Sequence, residues 1–279
     1  MTESTHLRIP IRSDKLGLDV EVRALVASVE TEFQRVDIVD TDVFGRVLLL
    51  DGHVQLSSMD ERAYHESLVQ IPLLNLSNPK NALVVGGGDG GVIRELCRHV
   101  SLEHIDIAEI DAGVVEACRT FMPELSAGAF DDPRVHLHIT DAFDFVKRSS
   151  RKYDLIVVDS TDVYEDEEGA LSEQLFTDTF YKDCRNALAA DGIVVTQADN
   201  LVFCPYSLEH IAAMFGKVFP HVGSYQAIVP SFGGFSGFCY GSNGRGLKSR
   251  FAELAPSPIN SVYLNEATYN LAFTPLRFG

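Results

Sequence analysis

The sequence predicts an α/β protein: a doubly wound, mostly parallel sheet preceded by a small antiparallel β-domain. Three observations predict it. From Asn81 onward, short apolar runs alternate with helical stretches, the pattern of strand–helix–strand units. Before residue 60 the apolar pattern has the strand period of two, interrupted by turn signals. Between the apolar run Ala82–Val85 and a helical pattern opening at Val92, Ile93 and Leu96 lies Gly86-Gly87-Gly88-Asp89-Gly90-Gly91, which reads as strand, tight turn and helix start.

In chain order, Leu18-Asp19-Val20-Glu21-Val22 alternates strictly. Ser28 to Asp37 and Asp42 to Leu50 carry β-branched and apolar residues, with turns at Asp40-Thr41-Asp42 and Asp51-Gly52. Residues 60–74 read as a helix through Tyr64, Leu68, Ile71 and Leu74, which Pro72 kinks or ends early. Strands are then expected at 82–85, 104–110, 135–139, 155–159, 193–197 and 222–229. Helices are expected at 91–99, 112–121, 142–148, 177–188 and 207–218. The segment 162–174, rich in acids, is the least structured. The division is placed at 1–60 for the β-domain and 61–279 for the larger one.

A chain of 279 residues with 46% hydrophobic content can bury a sizeable core. No apolar run is long enough to span a bilayer, and the amino terminus lacks a signal-peptide pattern. Five cysteines, scattered and without metal spacing, read as thiols of a reducing cytoplasm, and no metal site is expected. The formal charge of −17 disfavours nucleic acid and anionic membranes and favours cationic ligands.

Ligands of such sheets lie beyond the carboxyl ends of the strands. Asp89 in the glycine turn would repel a phosphate, so the turn suits a nucleoside with a cationic arm. Glu109 lies 21 positions after Gly88 (109 − 88), the spacing at which an acid meets ribose hydroxyls. Asp141 follows the third strand, where it can accept from an adenine amine, and Asp159 ends the fourth. A glycine turn alone fits a dinucleotide enzyme equally well, and acids at strand ends also cap helices; Asp111 and Asp144 are read as caps. Glycine turn, Glu109, Asp141 and Asp159 in register point to an S-adenosyl-type nucleoside.

Residue runs narrow this. Leu50-Asp51-Gly52-His53-Val54-Gln55-Leu56, Asp60-Glu61-Arg62-Ala63-Tyr64-His65-Glu66, the glycine turn, Glu109-Ile110-Asp111, Asp131-Asp132-Pro133-Arg134-Val135, Asp159-Ser160-Thr161-Asp162 and Thr196-Gln197 resemble the signature of the spermidine synthase family of aminopropyltransferases. The tail from Tyr263 to Phe273 is similar too, so the resemblance runs from about Leu18 to near the end. It implies a Rossmann-like catalytic domain of the class I methyltransferase type, a homodimer, and transfer of an aminopropyl group from decarboxylated S-adenosylmethionine to an amine with release of methylthioadenosine. No permanently bound cofactor is implied, since a sulfonium is already a good leaving group. The acceptor nitrogen must be neutral to attack, and the resemblance makes Asp159 the proton acceptor and Tyr64 its aid in orienting that nitrogen. Without the resemblance, Tyr64 would read as a core aromatic.

By the same resemblance Gln34, Gln55, Gly86, Asp89, Glu109, Asp141 and Ala142 bind the donor, and His65, Asp162, Gln197 and Phe232 line the acceptor path. Asp89 would pair with the donor's ammonium and disfavour ordinary S-adenosylmethionine, whose carboxylate it would face. His65 is expected to pack or hydrogen-bond locally rather than act as a base, with Glu66 the neighbour that would favour its charged form. Three departures bear on the acceptor. The segment Val163 to Ala170 lacks the family's prolines and carries four acids, Gln197-Ala198-Asp199-Asn200 differs after its glutamine, and Phe232 stands where relatives place a tyrosine. The leading expectation is spermidine formation from putrescine or a related amine. Behind it stand an aminopropyltransferase acting on a longer polyamine or a non-polyamine nucleophile, an S-adenosylmethionine-dependent N-methyltransferase, and a non-catalytic polyamine-binding protein.

Overall fold

A computed structural model describes residues 5–12, 15–160, 177–255 and 260–276. The first five strands, β1 (Thr5–Arg12), β2 (Leu16–Glu30), β3 (Arg35–Thr41), β4 (Gly45–Leu50) and β5 (His53–Ser57), form an antiparallel sheet in sequential order. Alternation works on both of its faces. Val36, Ile38, Leu48 and Leu50 pack against a helix of the larger layer, while Val39, Val47 and Leu49 turn to Ile9 and Val20.

The helix α1 (Glu61–Leu73) follows, and then a sheet of seven strands. In chain order these are β6 (Asn81–Gly86), β7 (His104–Glu109), β8 (Val135–Ile139), β9 (Tyr153–Asp159), β10 (Leu188–Asn200), β11 (His221–Val229) and β12 (Gly234–Ser242). Their spatial order is β11-β12-β10-β9-β6-β7-β8, parallel from β10 through β8, with β12 antiparallel to both of its neighbours. The connecting helices are α2 (Gly91–Cys97), α3 (Ala112–Phe121), the short α4 (Pro123–Ser126), α5 (Ala142–Arg148), α6 (Asp178–Ala187) and α7 (Pro205–Val218), and α8 (Glu266–Ala272) closes the chain.

Strand β6 explains why its sequence is apolar without alternation. Ala82 and Val84 face the core under α1 and α2, and Leu83 and Val85 face the core under α5, α6 and α7. A strand covered on both faces has no polar side. Because β6 pairs with β7 on one side and β9 on the other, the winding direction reverses there, and a crevice opens at its carboxyl end.

The structure departs from the sequence reading in several places. Residues 28–37 are not one strand: Thr31 and Gln34 close a turn between β2 and β3. The expected strand at 42–50 starts only at Gly45, after a turn. Strands β1, β5 and β12 and helices α4 and α8 were not anticipated, and β10 is far longer than 193–197. Pro72 sits in the last turn of α1, which ends one residue later at Leu73. The segment 162–174 lies within residues 161–176, outside the described residues.

Candidate active site

Strand register builds the site. Gly86 pairs with Asp159 and Glu109 with Ile139, so the glycine turn, Glu109, the approach to Asp141, and Asp159 all emerge at the same end of the sheet. Gly86 and Gly87 hold left-handed backbone, φ 76° and 72°. A Cβ on Gly86 would stand 2.3 Å from the Asp159 carbonyl oxygen, and the Gly87 amide donates to that oxygen at 3.0 Å. Gly86 is therefore glycine because β9 presses against it. A Cβ on Gly88 would meet the Glu109 carboxylate at 3.0 Å.

Glu109 is buried and accepts from the backbone amides of Gly88 (3.1 Å) and Asp111 (2.8 Å). Burial, only partly offset by those amides, pushes its carboxyl up to about 7. Gln34 reaches this neighbourhood indirectly, donating to Asp111 at 3.0 Å, while Asp111 caps α3 through Gly113. Asp111 is thus the cap the sequence suggested, but Asp144 is not. Asp141 caps α5 by accepting from Phe143, and Asp144 lies inside the first turn, paired with Arg148. Ala142, buried, begins that helix.

One cavity gathers Tyr64, His65, Asp89 and Asp159 with Gln55, Gln197 and Phe232. Its further wall comes from Ile9 and Ile11 of β1, so the small sheet covers the site of the large one. Tyr64 donates its hydroxyl to Asp159 Oδ1 at 2.7 Å. Phe232 meets the Tyr64 ring edge-on at 5.7 Å, which places the substituted ring against the tyrosine. Gln197 donates to the Ser160 carbonyl at 3.4 Å and accepts from the Asp199 amide at 3.0 Å. Gln55 donates to the His53 carbonyl at 3.2 Å. Burial and the Asp89 charge raise the Asp159 carboxyl to about 6, against the opposing pull of His65 and the Tyr64 hydroxyl. Asp162 lies outside the described residues.

His65 hydrogen-bonds locally, as expected, but not with the acid the sequence suggested. Its acidic neighbours are Glu61, 2.7 Å from Nδ1, and Asp89, 3.4 Å from Nε2. Glu66 instead points away and accepts the backbone amides of Val262, Tyr263 and Leu264 at 2.8–2.9 Å, tying the carboxyl-terminal segment to α1. Helical spacing explains the exchange: residue 61 is one turn before 65 and shares its face, whereas 66 does not. Burial opposes charge on His65, but Asp89, Glu61 and Asp159 outweigh it and lift the imidazole to about 9. The nitrogen of His65 and the carboxylates of Asp89 and Asp159 lie within 4.8 Å of one another, close enough to surround a small cation.

Three supporting residues escaped sequence reasoning. Glu61 is held by Arg94 at 2.8 and 3.2 Å, and Arg94 also pairs with buried Glu95 at 3.0 Å. Asp60 accepts from Ser57 and from the amide and hydroxyl of Ser231, which fixes the turn carrying Phe232 to the start of α1. Charged residues at the start of a helix were the only signal for either acid, and it does not name a partner 33 or 171 residues away in the chain.

Known proteins place this site in context. Residues 61–245 match the spermine/spermidine synthase domain and residues 9–58 the spermidine synthase tetramerisation domain. A polyamine aminopropyltransferase of Pectobacterium carotovorum is 43% identical over 78% of this chain and 75% of its own. That of Alkaliphilus metalliredigens is 38% identical over 93% of this chain and 89% of its own. A crystal structure of spermidine synthase in complex with the transition-state analogue AdoDATO superposes with a TM-score of 0.89 at 28% identity, covering 98% of this chain and 93% of that one. The chain therefore belongs to the spermine/spermidine synthase family, the polyamine aminopropyltransferases.

Proposed function

We propose that this aminopropyltransferase uses decarboxylated S-adenosylmethionine as donor and putrescine, or a closely related diamine, as acceptor, giving spermidine and methylthioadenosine. The observation that carries the reading is the Tyr64–Asp159 hydrogen bond inside a cavity that also holds Asp89. An ammonium has no lone pair, so attack on the sulfonium carbon requires a group that holds the amine and takes its proton. Asp159 is that group, and Tyr64 fixes the direction of its carboxylate. The nitrogen forms its bond to the aminopropyl carbon as the carbon–sulfur bond breaks, and the sulfur leaves with both bonding electrons as a neutral thioether. Asp89 takes the donor's ammonium, Glu109 the ribose, and Asp141 and Ala142 the adenine, with Gly86, Gln34 and Gln55 framing the donor. His65, Asp162, Gln197 and Phe232 border the acceptor path. Among the described residues lining the cavity, no lysine or arginine competes with the two cationic substrates.

The departures at Asp199 and Phe232 leave room for a longer or unusual amine. Purified protein incubated with decarboxylated S-adenosylmethionine and a panel of amines, with products identified by mass, decides this: spermidine as main product supports the reading, and methylated products overturn it. We further propose a domain boundary at 60/61, a homodimer in solution, and a cytoplasmic enzyme acting without nucleic acid or membrane. The free cysteines agree with a reducing compartment, and among the described residues no helix is long and apolar enough to cross a bilayer.

A further inference from the structure

His65 stands at the centre of a charge arrangement that the transfer reaction does not by itself require. Its ring is 1% exposed. From α1, Glu61 lies 2.7 Å from Nδ1, and the Tyr64 ring meets it edge-on at 5.3 Å. From the glycine turn, Asp89 lies 3.4 Å from Nε2. From β9, Asp159 acts on it through space, and from α2, Arg94 reaches it only through Glu61. The backbone at Gly91 passes so close that a Cβ there would stand 2.3 Å from the ring. The ring therefore cannot swing away, and each nitrogen has one carboxylate in front of it.

Two carboxylates, Asp89 and Asp159, face the same half-buried space beside a fully buried imidazole, and a positive charge between them offsets their repulsion. A protonated His65 supplies it. When the donor's ammonium arrives at Asp89, that charge becomes redundant, and two cations cannot share one carboxylate in a buried site without repulsion. Resting on the donor reading above, we propose that His65 is the internal counter-cation of the empty site. On donor binding Nε2 gives its proton to solvent and becomes the acceptor of a hydrogen bond from the incoming ammonium, while Glu61 retains the proton on Nδ1. Glu61 is the positioning residue that decides which nitrogen changes role. Arg94 holds Glu61 ionised: burial works against its charge, but His65 and Arg94 outweigh burial and keep its carboxyl at about 2.

The test is proton release measured by titration calorimetry at pH 8 in phosphate and in Tris, whose ionisation enthalpies differ. Decarboxylated S-adenosylmethionine is added without acceptor, so no transfer occurs, and methylthioadenosine, which lacks the ammonium, is the control. At pH 8, His65 lifted to about 9 is mostly charged and Asp159 at about 6 is mostly ionised, so the proton has one main source. Any proton from Glu109 is common to both ligands and subtracts out. The wild type is expected to release about one proton more per donor than per methylthioadenosine. His65→Gln is expected to abolish that difference. Glu61→Gln is expected to reduce it, whereas a merely structural role for Glu61 would weaken binding without changing the proton count. Equal release with the two ligands in the wild type overturns the proposal, even if His65→Gln cannot be made, and so does undiminished release in His65→Gln. A donor that fails to bind at all overturns the donor reading as well. A donor that binds and is turned over with an amine, yet releases no extra proton, sinks this inference alone.

Discussion

Replacing Gly91 with alanine sets two effects of opposite sign against each other. Gly91 is the first residue of α2, and its φ is not in the left-handed region, so alanine fits the backbone there. Exchanging glycine for alanine in a helix is by itself stabilising by about 0.5–1 kcal/mol. The new methyl, however, would stand 2.3, 2.4 and 2.6 Å from three His65 ring atoms, where ordinary contacts begin at 3.4 Å. The ring would have to retreat by roughly 1 Å, and it is pinned between Glu61 and Asp89. Overpacking of that kind costs about 1–3 kcal/mol. The overlap is large and its neighbour is neither flexible nor exposed, so the clash should win, with a net loss of about 1–2 kcal/mol. Urea unfolding reads it directly. A double-mutant cycle with His65→Ala identifies the cause: with the ring gone, Gly91→Ala should become neutral or stabilising. Gly91→Ala at least as stable as wild type, or an unchanged cost in the His65→Ala background, would refute the reasoning.

Other consequences can be checked alongside. Asp159→Asn should remove most turnover, about a hundredfold or more, while methylthioadenosine affinity by calorimetry stays near normal; undiminished turnover would defeat its role as base. In wild type, kcat/KM should fall as pH drops through about 6, where Asp159 takes up a proton. Tyr64→Phe removes the hydrogen bond that favours the carboxylate, so this acid limb should move to higher pH; a limb that stays put would argue against the Tyr64–Asp159 coupling. Glu66→Ala leaves three backbone amides without their carboxylate and should cost about 2–4 kcal/mol, seen in denaturant unfolding and in earlier proteolysis of the segment after residue 260. His65 has its pKa raised by folding, from 6.5 to about 9. Its contribution to stability is therefore full below pH 6.5 and lost as pH rises through about 9, and His65→Gln should flatten that decline in the unfolding free energy.

Different parts of the molecule were legible to different degrees. Strands β6 and β9 were plain because burial on both faces leaves an uninterrupted apolar run. Strand β1 was missed because Pro10 and charged residues mask its alternation, and its pairing with β2 is a long-range fact. Strand β12, with five glycines and serines among its nine residues at 234, 236, 237, 241 and 242, reads locally as loop; only its place between β10 and β11 makes it a strand. The acids Asp89, Glu109, Asp141 and Asp159 could be placed at one end of the sheet from position, because a strand's end and the turn after it are local properties; that Asp89 and Asp159 line one cavity was not legible. The partner of His65 was misassigned, because adjacency in sequence is not adjacency on a helix, and Glu61 lies a turn away while Glu66 faces elsewhere.

The amino-acid order by itself determined the alternation of strands and helices, the glycine turn, and an excess of negative charge at one end of the sheet. These follow from short-range periodicity and from side-chain chemistry, which need no knowledge of distant residues. The tertiary structure alone decided that β1 covers the cavity, that Asp60 fixes the turn bearing Phe232, and that Glu61 and Asp89 clasp His65 from opposite sides. Apart from Glu61–His65, one helical turn apart, those contacts join segments tens to nearly two hundred residues apart, and the charge state of a buried group depends on which neighbours folding brings within a few ångströms of it.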